Sequence, residues 1–395
     1  MTMTWRPRSS QSGAARRYAS WSRTRTNCWH GCGAAEPVSW LAVRGGWLVT
    51  RYDLAVRVMR DPITFTVDNP RFSTSRVVGP SMLSVDGADH TRHREPFAHP
   101  FRPARVWDRF SGFIEAESDR LISAIQPAGA GELRREFAGP LAAAVVTDAL
   151  GLRDVRVDTV LSWYDAIVAA VSEVTAGQPV TAAGADAFGQ LRAALADAIG
   201  HTDEPSVLTE AARAPERLSQ DEVVSNAAVL MFGGIDTTEG MIVNVVRHVL
   251  ADPEAPALVR GGADLLADAI EESIRLEPAA AVVDRYATRD VELGGTRIRR
   301  GDLVTVSIAG ANRDPAVFTD PDRFNIRRAN ARLNLAFAVG PHFCLGAQLA
   351  RTETKIAVGR LLDQLPGLRL DPEHPNTPRG LVFRKPPTLH VRWTV

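Results

Sequence analysis

The chain has 395 residues, of which 45% are hydrophobic and 23% are charged, an ordinary composition for a folded globular protein. Its 46 lysines and arginines balance its 46 aspartates and glutamates, so net charge gives no reason to expect a nucleic-acid partner. Three cysteines make no disulfide framework, and no run approaches the roughly 18 uninterrupted apolar residues of a membrane span. We therefore expect a cytoplasmic protein with neither nucleic acid nor a membrane among its partners.

Residues 1–35 differ in composition from the rest of the chain. They contain six arginines and no acidic residue, and Glu36 is the first carboxylate. Such a beginning is typical of an organelle transit peptide, although a basic partner-binding arm and a misassigned start are alternatives. We favour a misassigned start or simple disorder, and we interpret Cys28 and Cys32 as incidental because their spacing matches no strong zinc pattern. Residues 36–395 are expected to form one domain.

Recognisable secondary-structure patterns begin at Val38. Two apolar runs flank Arg44-Gly45-Gly46 and predict a β-hairpin, and residues 52–60 have a helical pattern. The segments predicted after these are a loop over 66–86, helices over 104–200 with breaks near 129–131, 151 and 177–179, and strands over 289–308 and 379–394. The balance predicts a mainly α protein with small peripheral β-sheets.

A long helix is predicted over residues 219–250, because Ser219 and Glu222 form a capping box at its start. Gly233 and Gly234 interrupt its apolar interior, where each glycine costs about 1 kcal/mol relative to alanine. Close packing against another helix would explain both glycines. The alternative is a locally opened helix whose freed backbone groups and polar side chains face a cavity.

Two pairs of charged residues are spaced to share one helix face. Glu272 and Arg275 stand at positions i and i+3, and His90 and Arg94 stand at i and i+4. Most exposed pairs of this kind contribute only roughly a few tenths of a kcal/mol to stability. Their spacing alone therefore does not separate a solvated surface pair from a functional one.

Cys344 is the only cysteine beyond position 32 and lies in the run Phe-Ala-Val-Gly-Pro-His-Phe-Cys-Leu-Gly, residues 337–346. An isolated cysteine can be a core residue, a nucleophile or a metal ligand, and a buried small hydrophobe is the usual case. Here Gly340 permits a turn, Gly346 permits close approach of a cofactor, and a helix-favouring pattern follows. Because a helix N-terminus favours a thiolate, the flanking residues indicate a metal ligand.

The spacing F-x-x-G-x-H-x-C-x-G closely resembles the heme-binding loop of the cytochrome P-450 family, in which helices sandwich the heme. Four other segments resemble that family in the right order: His90–Arg94, the G-x-D-T-T signature over 234–238, the Glu272–Arg275 pair, and the turn-rich run over 311–324. The resemblance covers residues 38–395. Its departures are mild, with Ala338 where glycine is common and Asn334 where histidine is often found.

The resemblance implies that this chain binds heme b. Cys344 would be the axial ligand of the heme iron, and thiolate donation in that family favours cleavage of the O–O bond. The heme loop would include Phe337, Gly340 and Gly346. Residues matched to the family's contacts with the heme propionates are His90, Arg94, Arg285 and His342, and the planar guanidinium suits such carboxylates.

Asp236 and Thr237 match the family's acid–alcohol pair. By that resemblance the alcohol hydrogen-bonds dioxygen and the acid relays protons to it, which is a general acid role. The pair formed by Glu272 and Arg275 would be structural, a buried ion-pair network completed by an arginine of the turn-rich run. Arg323 is the expected third member.

The family positions also suggest which residues line a substrate pocket. They are Val78, Met82, Leu83, Val229, Phe232, Gly233, Ala281, Val282, Val283, Leu381 and Val382. Most are apolar, so an apolar or amphipathic small molecule is expected. Simple core packing is the alternative for each residue.

The resemblance implies a monooxygenase that hydroxylates or epoxidises its substrate with O2. Oxidative coupling or desaturation on the same scaffold is one alternative, and a non-catalytic heme sensor or carrier is another, against which the acid–alcohol pair argues. No flavin or iron–sulfur motif is evident, so a ferredoxin and its reductase are the expected electron donors. Four arginines could form their docking face, or simply a solvated helix face: Arg92, Arg102, Arg105 and Arg109.

Overall fold

The structure is a computed structural model that describes residues 36–175, 177–200, 205–214 and 218–395. The expectations for residues 1–35, including those for Cys28 and Cys32, lie outside the described part of the chain. Helices predominate and the sheets are small, which confirms the predicted fold class.

The largest sheet joins both halves of the chain. Its strands are β1 (Val38–Leu41), β2 (Gly46–Val49), β3 (Phe65–Thr66), β5 (Val282–Ala287) and β8 (Leu303–Ser307). Their spatial order is β1-β2-β8-β5-β3. The first two strands form the predicted antiparallel hairpin, and β2 runs parallel to β8. The N-terminal hairpin is therefore fixed to a segment that lies far along the chain.

Two smaller sheets complete the β-structure of the described residues. One contains β4 (Ala130–Glu132), β9 (Arg369–Leu370) and β10 (His390–Arg392), with β10 in the middle. The other is the hairpin of β6 (Val291–Leu293) and β7 (Thr296–Ile298). The sequence indicated only a break near β4, because so short a strand depends on pairing with the C-terminal segment.

Among the described residues, eight α-helices precede the long central helix. They are α1 (Tyr52–Arg60), α2 (Ser73–Val78), α3 (Gly87–Ala98), α4 (Pro103–Ile125), α5 (Gly139–Leu150), α6 (Val157–Thr175), α7 (Ala182–Gly200) and α8 (Val207–Ala212). A π-helical turn, Arg134–Ala138, leads into α5. The prediction of a loop over 66–86 was wrong at α2, a short helix without a side-chain cap that ends at Gly79.

The second half of the chain contains α9 (Gln220–Ala251), α10 (Ala255–Arg260), α11 (Ala263–Leu276), α12 (Ile308–Ala311) and α13 (Ala347–Gln364). The predicted capping box at the start of α9 is present, since Ser219 and Glu222 each satisfy the other's backbone amide. Helix α9 crosses the interior and packs against α5, α11 and α13. It is the central element of the large hydrophobic core.

Among the described residues, α9 is the one helix whose length and apolar character would suffice to cross a membrane. In the structure 67% of its apolar stretch is buried within the protein. Packing against other helices therefore accounts for its apolar composition.

Candidate functional site

The loop before α13 holds Cys344 in a defined position. The Cys344 amide donates to the Phe337 carbonyl at 2.9 Å. Gly340 has a φ of +82°, and a Cβ there would lie 2.7 Å from the Met59 carbonyl oxygen, so a side chain does not fit. Helix α13 begins at Ala347, which places Cys344 just before a helix N-terminus as predicted.

Ala338 introduces a small strain into the same loop. Its φ is +57°, in the left-handed region, where the Cβ of an L-residue costs roughly 1–2 kcal/mol. Its amide still donates to the Leu335 carbonyl at 2.8 Å, so the turn is closed. The departure from glycine noted in the sequence therefore changes backbone energy without removing a functional side chain.

The Cys344 thiol is accessible although it lies well inside the protein. The side chain is exposed, yet protein atoms surround it closely enough for burial to raise its pKa. The Gly346 amide and the positive charges of Arg94 and Arg351 act in the opposite direction but are outweighed. An accessible thiol inside the protein lines a recess. A thiol that ligates a metal is deprotonated by the ion's own charge, which outweighs such a burial effect.

Basic side chains from three separate segments lie near this loop. Arg94 donates to the Phe343 carbonyl at 2.7 Å, and Arg285 is buried on β5, where it donates to the Asp284 carbonyl at 2.8 Å. Buried His90 has no hydrogen-bond partner for Nε2 among the described residues. Burial first, then the charges of nearby cations, lower the pKa of His90 to about 4. The neutral imidazole and the two guanidiniums leave donors available for an acidic ligand.

Asp86 belongs to this group and was not among the predicted site residues. Its carboxylate accepts from His342 Nε2 at 2.8 Å, from Thr66 Oγ1 at 2.6 Å and from the Val67 amide at 2.9 Å. Burial would raise the pKa of Asp86, but these hydrogen bonds lower it to about 2. His342 and His90 also lie ring to ring, with centroids 4.3 Å apart. His342 is therefore oriented by Asp86, and the only sequence signal was the position of this acid just before α3.

The glycines of α9 have different roles, and the helix is not opened. It runs without interruption from Gln220 to Ala251, so the alternative of a locally opened helix was wrong. A Cβ on Gly234 would lie 2.3 Å from Val146 Cγ2, so α5 packs directly onto this glycine. At Gly233, by contrast, a Cβ would meet no atom within 4 Å. Thr237 donates its hydroxyl to the Gly233 carbonyl. The helix therefore presents an open face at Gly233 and Thr237.

Asp236 lies in a cluster of charges that the sequence did not reveal. Lys385 Nζ donates to Asp236 Oδ1 and lies 3.1 Å from Glu239 Oε1. Glu239 also accepts from Arg134. Burial first, then the negative charges of Asp236 and Glu239, raise the pKa of Tyr164, so its phenol stays protonated. No local pattern could have placed Lys385 here, because it comes from a turn near the C-terminus.

The Glu272–Arg275 pair is fully buried and makes a two-point contact at 2.7 and 2.9 Å. The second arginine on Glu272 is Arg328, whose Nε lies 3.0 Å from both carboxylate oxygens. The prediction of Arg323 in this place was wrong. The Arg323 side chain is exposed, and only its backbone carbonyl accepts from Arg275 and Arg328.

The predicted pocket residues divide into packed and accessible groups. Those packed in the interior are Val78, Met82, Val229, Ala281 and Val282. Phe232 is half-buried beside the core and Val283 packs against the smaller core cluster, whereas Leu83 and Val382 are exposed. Leu381 is half-buried. The packed residues fit the alternative of core packing, and a ligand-contacting role for the accessible ones stays a prediction.

The suggested basic docking face is partly neutralised. Arg92 pairs with Glu222 of α9 at 2.7 Å, and Arg109 pairs with Glu210 of α8 at 2.8 Å. Arg102 and Arg105 are exposed at the start of α4. Two of the four arginines thus serve internal pairing.

The residues in this region fit the heme that the sequence implies. Cys344 offers an accessible thiol, while His90, Arg94 and Arg285 offer donors for two propionates. A Cβ on Gly346 would meet nothing within 4 Å, so the chain leaves room beside the thiol. A soft thiolate ligand with cationic side chains for carboxylates is the donor set that such a cofactor requires.

Comparison with known sequences agrees with these observations. The profile described as "Cytochrome P450" matches residues 263–391. Cytochrome P450 107B1 of Saccharopolyspora erythraea is 34% identical over 355 residues, which cover 85% of this chain and 86% of that protein. Nocardicin C N-oxygenase of Nocardia uniformis subsp. tsuyamanensis is 32% identical, with 88% and 89% covered.

Solved structures share the fold. The structure of P450BioI in complex with hexadec-9Z-enoic acid ligated acyl carrier protein superimposes with a TM-score of 0.83 at 26% identity, covering 93% of this chain and 97% of that one. The similarity therefore extends over both the helical core and the sheets described above.

Proposed function

Because this chain belongs to the cytochrome P450 family of heme monooxygenases, we propose that it inserts one oxygen atom of O2 into an apolar small molecule in the bacterial cytoplasm, with electrons from a ferredoxin and its reductase. The reaction consumes one O2, two electrons and two protons for each substrate, and releases the second oxygen atom as water. Hydroxylation of a C–H bond or epoxidation of a double bond satisfies this balance. The proposal depends mainly on one observation: the Cys344 thiol is accessible in a loop that turns at Gly340.

When bound, heme b supplies the iron centre at which O2 is activated and electrons are received. Cys344 would hold that iron through its thiolate, and its amide bond to Phe337 fixes the sulfur in the loop. Arg94 and Arg285 would bind the propionates through their free N–H groups. His90 would add a hydrogen bond from its unpaired Nε2. Asp86 would keep His342 oriented toward the same carboxylates.

By their match to the family's acid–alcohol pair, Thr237 and Asp236 of α9 would transfer the protons of the reaction. The Thr237 hydroxyl donates to a carbonyl of its own helix, and rotation about χ1 can redirect it to an oxygen in the recess. The Asp236 carboxylate lies next to it in sequence and can accept and release a proton. The lack of a side chain at Gly233 leaves the space above Thr237 open. Together these groups would deliver protons to the reacting oxygen.

The accessible pocket residues favour an apolar substrate. Leu83, Phe232, Leu381 and Val382 present mostly hydrocarbon surface, and burial of such surface contributes about 25 cal/mol per Å² to binding. The names of the relatives show that nitrogen oxygenation and carrier-linked acyl chains occur within the family. Neither chemistry has a specific counterpart in the residues described here, so we propose a free small molecule.

The first test is the reduced carbon monoxide difference spectrum of the purified heme protein. The wild type should give the red-shifted Soret band of a thiolate-ligated heme. Cys344→Ser should lose this band, whereas Ser81→Ala, a buried hydroxyl outside the recess loop, should retain it. A wild-type protein without the band would overturn the proposal.

The second test separates an oxygenase from a passive heme protein. A panel of apolar compounds is screened for substrate-induced spin shifts, and those that bind are incubated with a surrogate ferredoxin system. Product should gain one atom of ¹⁸O from ¹⁸O₂. Thr237→Ala should lower product formation on the order of 10²-fold, while Thr237→Ser, which keeps the hydroxyl, should retain most of it. Equal activity of the Thr237→Ala and wild-type proteins would refute the role of the hydroxyl.

A further inference from the structure

Lys385 makes an unusual contact for a chain in which arginine supplies almost every positive charge. It is one of only two lysines in the sequence, the other being Lys355. Its ammonium donates to Asp236 Oδ1, lies 3.4 Å from the Asp236 carbonyl oxygen and 3.1 Å from Glu239 Oε1. All three side chains are about nine-tenths buried, with exposures of 10% for Lys385, 13% for Asp236 and 10% for Glu239.

Lys385 is shared between Asp236 and Glu239, but Asp236 depends on it more. Glu239 has a second cation, since Arg134 also donates to it. Among the described residues, Lys385 is the cation that contacts Asp236. Tyr164, whose phenol stays protonated, adds no charge to the cluster. Removing Lys385 would leave the largely buried Asp236 without a counter-charge, which favours its rearrangement.

The backbone around Lys385 is held in a tight turn. Arg379 and Lys385 pair across it, with amide-to-carbonyl bonds of 3.0 and 3.3 Å. Gly380 has a φ of +107°, and a Cβ there would lie 1.9 Å from the Phe383 carbonyl oxygen, so only glycine fits. The Val382 carbonyl accepts from the Ala281 amide at 2.8 Å, which fixes the turn to the segment leading into β5.

The side chain of Lys385 is also guided along α9. Its Cδ and Cβ lie 3.5 and 3.7 Å from the position that a Cβ on Gly240 would occupy. Both are ordinary van der Waals distances, so the lysine side chain packs along α9 at Gly240 on its way to Asp236. The Asn244 amide group donates to the Arg384 carbonyl at 2.9 Å and anchors the turn one helical turn further along.

We propose that Lys385 is the positioning residue of Asp236, whose carboxylate it holds in place next to Thr237, and that the tight turn over 379–385 sets this position. The proposal rests on the proposed function, because positioning matters only if Asp236 transfers protons. The same turn carries Leu381 and Val382, two of the predicted pocket residues, with accessible side chains. A single rigid element would thus support the acid and line the substrate recess.

The first experiment needs no turnover. An amine-reactive reagent is applied to the intact heme protein, and modification of each lysine is followed by mass spectrometry. Lys385 should react more slowly than Lys355, which is only half-buried and serves as the internal reference. Asp236→Asn should accelerate modification of Lys385 and leave Lys355 unchanged. Equal rates for Lys385 in both proteins would overturn the pairing.

The turn is tested by the same measurement. Gly380→Ala leaves both partners in the chain but forces the turn to move, so modification of Lys385 should accelerate as in Asp236→Asn. An unchanged rate in Gly380→Ala, with a confirmed change in the thermal midpoint, would show that the turn does not set the position of Lys385.

The functional experiment compares Lys385→Met, which keeps length without charge, with Lys385→Arg, which keeps a cation. Lys355→Met is the control for loss of a lysine. Lys385→Met should keep the carbon monoxide band and bind a spin-shift ligand within about twofold of wild type, but form on the order of tenfold less product per electron pair, with peroxide released instead. Lys385→Arg should restore most of the product yield.

The outcomes distinguish this inference from the proposed function. Absence of the carbon monoxide band in the wild type would refute the proposed function itself. A normal band with wild-type product yield in Lys385→Met would refute only the role of Lys385. Loss of yield in both Lys385→Met and Lys385→Arg, accompanied by lost ligand binding, would mean that the lysine supports the fold rather than Asp236.

Discussion

The buried network at Glu272 gives the sharpest prediction about stability and heme incorporation. One carboxylate, with no exposed surface, serves two guanidiniums and also accepts from the Asn325 amide at 3.0 Å. Arg275 in turn donates to the carbonyls of Asn312 and Pro321 at 2.9 and 2.7 Å. The network therefore joins α11 to the run that leads into the Cys344 loop. We expect Glu272→Ala to loosen that run as well as the helix.

The expected loss of unfolding free energy in Glu272→Ala follows from the two arginines that would stay buried without their carboxylate. Removing one member of a buried ion pair costs about 3–5 kcal/mol, because the partner stays buried without compensation. Here two cations lose their anion, and the partly buried Asn325 amide loses its acceptor, which costs about 1 kcal/mol more. Domains are stable by only about 5–15 kcal/mol. Glu272→Ala should therefore remove about a quarter or more of the stability of the fold.

Arg328 and Arg323 provide a matched pair for the same reasoning. The Arg328 side chain is 7% exposed and contacts both oxygens of Glu272, so Arg328→Gln should cost about 1.5–3 kcal/mol. The Arg323 side chain is exposed and contributes only its backbone carbonyl, so Arg323→Gln should stay within about 0.5 kcal/mol of wild type.

The assay is chemical denaturation followed by far-UV circular dichroism, together with heme content per mole of purified protein. Glu272→Ala should have the lowest midpoint and little heme, Arg328→Gln an intermediate midpoint, and Arg323→Gln the wild-type values. If Arg323→Gln were as destabilising as Arg328→Gln, or if Glu272→Ala incorporated heme normally, the assignment of this network would be refuted.

Three further predictions follow from individual residues. Ala338→Gly should relieve the left-handed strain and stabilise the Cys344 loop by about 0.5–1 kcal/mol, whereas Gly340→Ala should destabilise the loop because the new Cβ meets the Met59 carbonyl. Thermal midpoints of the two variants test this, and a midpoint lowered by Ala338→Gly would contradict it. In α9, Gly234→Ala should cost about 1–3 kcal/mol through its clash with Val146, while Gly233→Ala should leave the fold stable and shift the dissociation constant of a spin-shift ligand. Equal stability of the two variants would be inconsistent with the packing described. Burial raises the pKa of Glu353 to about 8, above its usual value near 4.5, so between these pH values the folded state holds a proton that the unfolded state releases. The free energy of unfolding of the wild type should therefore fall as the pH rises from about 4.5 to 8, and denaturation curves of Glu353→Gln should show a smaller fall over that range.

Features that depend on neighbouring residues could be predicted before the fold was known. The capping box at Ser219 and Glu222, the hairpin turn at Gly45 and the helix that follows Cys344 are all local, because each requires contacts only within a few residues. Order and spacing of the motifs also sufficed to identify the family. For the same reason the sequence predicted the Glu272–Arg275 contact, which lies within one helical turn.

Partners that come from distant parts of the chain depend on the tertiary fold. Spacing suggested Arg323 for Glu272, but the path of the backbone turns that side chain outward and brings Arg328 in. Asp86 reaches His342, and Lys385 reaches Asp236, across more than a hundred residues of sequence. Such pairs depend on how the chain folds back on itself, and no periodicity records that. The motifs therefore indicated which residues carry the chemistry, whereas the tertiary fold determined which charged side chains lie next to them.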